Sequence, residues 1–415
     1  YGRSEHMKHH APCRSVMLIL AAVTATACAS DGGSASRSIT RDSAGVTIVE
    51  STSAAWNAAE AWTISGDPLL DIGVVDGPAE YQLYRASSAV RLSDGRVVIA
   101  NGGTNELRFY DPEGRHLASI GRSGEGPGEF QDLQRVWILP GDSLLAYDFL
   151  PSRLSVFSPD GEFVRSQHYS SPDGRQILIR GPLADGSIIA AGVPIWSSPG
   201  AASGVVRDSV PYYRYDPLGT VPHTFGRFPS AEVFRIVTGD DWQLTGVPFA
   251  RVPVTAVAGN AVHFGSASTY ELYTYSANGE LERVVRLSMQ PRAVTAADID
   301  QYRRERLELA EREGMRPSME RMLSVLPFPG TMPPYDRAIA DSEGNVWLSD
   351  YRPARHEPAT WRVFSPDGVF LGSIDAPAQF EVIQIGTDFI LAHWSDEMDV
   401  EHIRVYALNK PQENA

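Results

Sequence analysis

A five-residue unit, aromatic residue first and glycine or its equivalent last, recurs along the chain. It reads Tyr110-Asp111-Pro112-Glu113-Gly114, then Phe157-Ser158-Pro159-Asp160-Gly161, Tyr215-Asp216-Pro217-Leu218-Gly219, Tyr275-Ser276-Ala277-Asn278-Gly279 and Phe364-Ser365-Pro366-Asp367-Gly368. A worn sixth copy is Tyr406-Ala407-Leu408-Asn409. Each unit is a turn: proline presets φ, and the closing glycine accepts a positive one. Around the first copy, Leu107, Phe109, Leu117 and Ser119 alternate with their neighbours at the period of a half-buried strand. The copies lie about 40–60 residues apart with one longer gap, and a repeat of that period built from short strands is a propeller blade. The expected fold is therefore all-β: a six-bladed β-propeller with four-stranded antiparallel blades.

The blades are expected at about Tyr84–Gly121, Asp132–Gln167, Gln176–Phe225, Pro248–Leu287, Tyr335–Ile374 and, with three strands only, Phe380–Tyr406. The last needs an outer strand from elsewhere. Leu69–Gly73 followed by Gly77-Pro78-Ala79-Glu80-Tyr81 repeats Leu117–Gly121 followed by Gly126-Pro127-Gly128-Glu129-Phe130. Pro68–Gly73 thus sits in the register of a fourth strand, and pairing with His402–Tyr406 would close the ring by an N-terminal strand. Val46–Glu50 reads as a further strand without a place. Between the fourth and fifth blades, Thr295 with Asp298 three residues on reads as a capping-box start for a helix over Asp298–Glu313. Met319, Met322, Leu323 and Leu326 form an apolar stripe on a second helix, Ser318–Leu326. The helical insertion, about residues 293–327, reads either as a hairpin packed to bury that stripe or as a lid over the channel mouth.

The chain has 415 residues and a net charge of −15, which argues against a protein held on nucleic-acid phosphates. Residues 1–6 read as a leftover ahead of a start at Met7. From there a basic segment, the apolar run Val16–Val23 and small residues form a secretory signal, making residues 1–27 scar plus signal peptide. Ala25-Thr26-Ala27-Cys28 resembles the lipobox of bacterial lipoproteins, with alanine at the usual leucine. That resemblance implies acylation of Cys28 and a lipid anchor to a bacterial membrane, on the periplasmic face of the outer membrane. An ordinary signal cleaved nearby is the alternative. Residues 28–45, rich in Ser, Gly, Asp and Thr, are expected to be a flexible tether to the propeller, 46–410.

The run Ile120-Gly121-Arg122-Ser123-Gly124-Glu125-Gly126-Pro127-Gly128-Glu129-Phe130, followed by strand, turn, strand and Phe157–Gly161, resembles NHL-type repeats. More closely, the chain is similar to the NHL-like six-bladed β-propeller lipoproteins of bacteria over about Val46–Leu408. The resemblance is clear in blades one, two and five and faint in the others. The Asn-x-Arg element of strict NHL repeats is only partly kept, at Asn105 to Arg108 and Ser152-Arg153. This architecture carries lyases, lactonases, receptors and scaffolds, so function must come from a site.

Strand parity puts the b–c loops and d–a crossings, which are long and unlike one another, on one face around the channel mouth, where binding residues concentrate. Arg85, Arg135, Arg180, Arg251 and Arg337 recur near the starts of the inner strands. Pointing inward, they would form a cationic ring for carboxylate or phosphate groups; otherwise each pairs with a nearby acid such as Asp132. No nucleophile elbow, P-loop or HExxH motif fits its context, so no catalytic residue is assigned and no cofactor is expected. The leading reading is a non-catalytic, lipid-anchored extracytoplasmic propeller whose loop face binds an envelope protein or a small anionic ligand. The alternative is a metal-dependent lactonase- or lyase-like enzyme. For it a divalent cation would sit at the channel mouth on Glu129, Asp148, Asp350 and His393. The loop His393–His402, with four carboxylates and two imidazoles, reads as a solvated acidic loop or a cation site.

Overall fold

The computed structural model describes residues 37–194, 202–217, 219, 222–239, 241–353 and 357–411. The signal sequence and Cys28 lie outside the described residues. Six blade sheets follow one another along the chain. Blade 1 is Ser88–Arg91, Val97–Asn101, Glu106–Tyr110 and His116–Ile120. Blade 2 is Leu133–Ile138, Leu144–Asp148, Arg153–Phe157 and Phe163–His168. Blade 3 is Ile177–Pro182, Ile188–Gly192, Ser209–Tyr215 and Pro222–Pro229. Blade 4 is Val254–Ala258, Ala261–Gly265, Glu271–Ser276 and Leu281–Leu287; blade 5 is Tyr335–Ala340, Val346–Asp350, Ala359–Phe364 and Phe370–Ala376. Blade 6 has Phe380–Ile385, Phe389–Ser395 and Glu401–Asn409, and its fourth strand is Leu70–Ile72.

The period-two pattern explains the ring. In the second strand of blade 2, Leu144 and Ala146 pack with Phe109 and Val98 of blade 1, while Leu145 and Tyr147 pack with Ile177 and Ile179 of blade 3. A strand sandwiched between two blades buries both faces, so it reads as a continuous apolar run rather than an alternating one. The same joint recurs through Tyr212 and Phe264, through Leu272 and Leu348, and through Trp361 and Phe380. The circle is completed by Leu391 and Ile403 of blade 6 against Val97 and Ile99 of blade 1. Outermost strands face water on one side and alternate, as in His116–Ile120. The recurrent turn works as its residues dictate: Gly114 takes φ +80° and donates to Asp111 O at 2.9 Å, and Asp111 Oδ1 accepts from the Glu113 and Arg115 amides.

Closure follows the expected register: Leu70 lies opposite Val405, Asp71 opposite Arg404 and Ile72 opposite Ile403. Thr63–Ile64 extend the seam onto Leu408 and Asn409. The strand without a place finds one at the rim. Val46–Ser51 runs parallel to Leu281–Leu287, and Ser38–Ser43 pairs antiparallel outside it, making blade 4 six strands wide. The stretch expected as tether over 28–45 is therefore ordered from Ser38. Its side chains are almost all exposed, so the backbone ladder, to which composition is blind, holds it.

A second departure is a three-stranded sheet, Gly204–Val206, Val233–Thr238 and Asp241–Gly246, between blades 3 and 4. It gives the helical insertion its bed. Helix α1 (Ala296–Arg312) opens on the expected capping box, Thr295 accepting from the Asp298 amide while Asp298 accepts from that of Thr295. Helix α2 (Arg316–Val325) turns Met319, Met322, Leu323 and, just beyond it, Leu326 onto Phe234 and Val247 of the inserted hairpin and its exit. The insertion leaves and returns through one neck, where Met332 N meets Arg292 O at 2.8 Å and Val294 N meets Gly330 O at 3.1 Å.

Candidate functional site: an arginine-lined channel

The first strands of blades 1 and 2, of blades 3, 4, 5 and 6 in turn, and of blades 6 and 1 touch one another around the axis, so they wall the channel. Above them the loop face is built on clamps. Arg108 donates to the carbonyls of Ala79, Glu80 and Gln82, and Arg153 donates to those of Glu125 and Glu129. The two copies of the Gly-Pro-x-Glu crossing are thus each held by an arginine from the third strand of the next blade. Gly124 has no room for a Cβ because the Glu129 carboxylate fills that space. The repeated arginine is a loop clamp, and guanidinium with five donors suits the task where lysine would not.

The structure does not bring the four candidate metal ligands together. Asp148, fully buried, accepts from the Gln131 and Asp132 amides and from Arg153 at 2.8 Å. Glu129 is held below the usual carboxylate range by the Gly126 amide and by Arg122. Asp350 takes a two-pronged grip from Arg362 at 2.6 and 2.5 Å and a bond from Tyr270, although burial lifts its carboxyl above the ordinary value. His393 stands 3.6 Å from Glu401. They lie in the crossing before blade 2 and in blades 2, 5 and 6, each with its own partner. Among the described residues no three His, Cys, Asp or Glu side chains gather as a metal site. The acidic loop after His393 divides likewise. Glu401 turns to the Arg85 and Ala86 amides at the mouth, His402 turns to Asp71 at 2.7 Å, and Asp396 caps its own turn.

The five arginines separate into two sets. Arg85, at φ +54°, pairs with Asp132 at 2.7 Å on the rim, and Arg251 pairs with Glu232 at 3.1 Å and reaches Thr331 in the neck. Both are rim ion pairs. Arg135, Arg180 and Arg337 sit inside the inner strands of blades 2, 3 and 5. Arg337 contacts Glu381 of blade 6 at 3.3 Å. The Arg135 guanidinium has neither hydrogen bond nor ion pair among the described residues. It is solvent-accessible, yet burial pushes it below the ordinary guanidinium value, and the fields of Arg180 and Arg337 add to that push. Blades 2 and 5 are not neighbours, so the field of Arg337 reaches Arg135 across the ring. Arg180 lies 5.9 Å from the Tyr212 ring centre, and its Nε is buried without a partner.

Sequence reasoning missed how these side chains are placed. The inner strands of blades 2, 3, 5 and 6 each slip register, at Gln134, Arg180, Asp336 and Ile383. A bulge re-aims side chains and leaves no composition signal. It also missed Glu381, and the cluster Phe249, Tyr302, Phe328 and Tyr351 that roots the insertion beside the mouth, with ring centres 5.6–6.5 Å apart. Burial, then Asp336, pushes the Tyr351 phenol up to about 12. A cavity of about 310 Å³ opens away from the axis, at the rim of blade 4, where Arg286 already bridges Glu50 and Glu271.

A family described as a 6-bladed beta-propeller matches residues 80–171, the first two blades. The chain is a six-bladed β-propeller. Among solved structures, a member of the duf4221 family from Bacteroides vulgatus is similar at 11% identity and TM-score 0.52, over 85% of this chain and 99% of that one. An exported protein from Bacteroides fragilis follows at 12% and 0.47 over 88% and 100%, and virginiamycin B lyase from Staphylococcus aureus at 11% and 0.40 over 84% and 100%. A search of the curated proteins finds no match. Likeness at this identity shows the fold; the propeller is shared by proteins of different activities.

Proposed function

We propose that this is an exported propeller, anchored through an acylated Cys28, that binds a small anionic ligand in its channel without catalysis. One observation carries the reading: Arg135 and Arg180 enter the inner wall with no counter-charge among the described residues, and the charged groups that act on Arg135 are other guanidiniums. Holding cations together in a confined lumen costs free energy that a folded chain recovers when an anion arrives. The carboxylates of the loop face support the same reading, because each one described above is engaged in holding a loop or a neighbouring arginine. Anchoring rests on the sequence around Cys28, and two or more acyl chains would make it stable.

The test is thermal unfolding of the full chain in detergent, with and without sulfate and phosphate at constant ionic strength. Ligand that binds only the folded state raises the melting temperature with concentration. The rise should vanish in Arg135→Gln. An equal rise in wild type and variant would reject the channel as the site.

A further inference from the structure

We infer that the channel site is built for a dianionic group, a phosphoryl, sulfo or paired-carboxylate ligand, rather than for a single carboxylate. This rests on the anion-binding reading above. Arg135 comes from blade 2, Arg180 from the adjacent blade 3 and Arg337 from blade 5. Arg337 is matched by Glu381 at 3.3 Å. Arg135 and Arg180 have no acid within hydrogen-bond or ion-pair distance among the described residues, and the groups whose fields act on Arg135 are Arg180, Arg337 and the Tyr147 phenol, which is spent on Ile177 O. Two positive charges are therefore left over.

A monocarboxylate would neutralise one and leave the other opposed by nothing. A dianion satisfies both, and its several acceptor oxygens suit two planar donor forks arriving from adjacent blades. The bulge at Arg180 and the open side of Arg135 set those forks on strands rather than on loops, so the cations do not have to be gathered when ligand binds. The Tyr212 ring under Arg180 is itself fixed by its hydroxyl to Thr255 at 3.0 Å. Arg180 thus has a wall behind it and its unpartnered donors to spend on ligand.

Calorimetric titration of the full chain in detergent with sulfate, inorganic phosphate, succinate and acetate decides this. Sulfate or phosphate is expected to bind at least about tenfold tighter than acetate, as two charge-assisted contacts exceed one. Arg135→Gln and Arg180→Gln should each remove most of that preference, while Glu381→Gln, which frees a third cation, should strengthen it. Succinate above phosphate would assign paired carboxylates as the source, and the reverse would assign a phosphoryl or sulfo group. Acetate binding as tightly as sulfate, with both lost in Arg135→Gln, would overturn the dianion inference and leave the anion site standing. No binding by any of the four would overturn both. Should a variant fail to fold, the wild-type ligand series alone still decides between one charge and two.

Discussion

Asp148 shows how one side chain can be read in two ways until its partners are known. At a strand end near the mouth it has the chemistry of a metal ligand, yet it is fully buried and shared between two amides and Arg153. Truncation would leave a buried guanidinium uncompensated and two amides orphaned. Asp148→Ala should cost about 3–5 kcal/mol, measured by urea unfolding. His263 makes a different prediction. It is buried between blades 4 and 5 with Nε2 unpartnered, and burial, aided by Arg283, pushes it down to about 4. The unfolded chain takes up this proton near the ordinary value of about 6.5 and the folded chain does not. Stability should therefore fall as pH drops from about 6.5 to about 4, by up to about 3 kcal/mol from this group. His263→Gln should flatten that part of the pH–stability curve. The arginines teach the same lesson. Their recurrence is visible in the sequence, but which are rim pairs and which line the lumen is decided by acids 19 to 47 residues away and by bulges.

At the scale of elements, what proved legible was whatever is local. Turns, the alternation of the outer strand His116–Ile120 and the Thr295–Asp298 cap are written in five residues or fewer and formed as their residues dictate, whereas Glu106–Tyr110, read as half-buried, is buried on both faces between blades. The inserted sheet escaped because Gly204–Val206 is too short to announce itself and pairs with a strand about thirty residues on. The seam and the insertion carry the element-scale predictions. Ile72 is buried against Leu391, Ile403 and blade 1, so Ile72→Ala should cost about 2–4 kcal/mol and lower the melting temperature of the whole ring rather than of one blade. Since the neck brings Val294 and Gly330 within hydrogen-bond distance, replacing residues 295–329 by a short glycine linker should leave the β circular-dichroism spectrum unchanged. The same deletion bares Phe234 and Val247, and increased binding of a hydrophobic dye should report it. Ligand titration of that variant separates a bed for an apolar stripe from a lid.

At the scale of the molecule, six joints between blades share the core, and among the described residues no helix is long and apolar enough to cross a membrane. The proposed anchor at Cys28 is tested separately from the ring. Cys28→Ser should move the protein from the membrane to the soluble fraction on cell fractionation while leaving its melting temperature unchanged. The ring itself has a consequence in time. Asp71 and His402 meet across 331 residues of chain. Bringing such distant points together costs about 5 kcal/mol in chain entropy, and no contact of the seam repays it until both are present. A polypeptide still being delivered from its N-terminal end therefore holds an unmatched strand at Leu70–Ile72. Any truncation before residue 403 should strand it there, open to pairing with another copy, so assembly becomes final only when the last forty residues arrive.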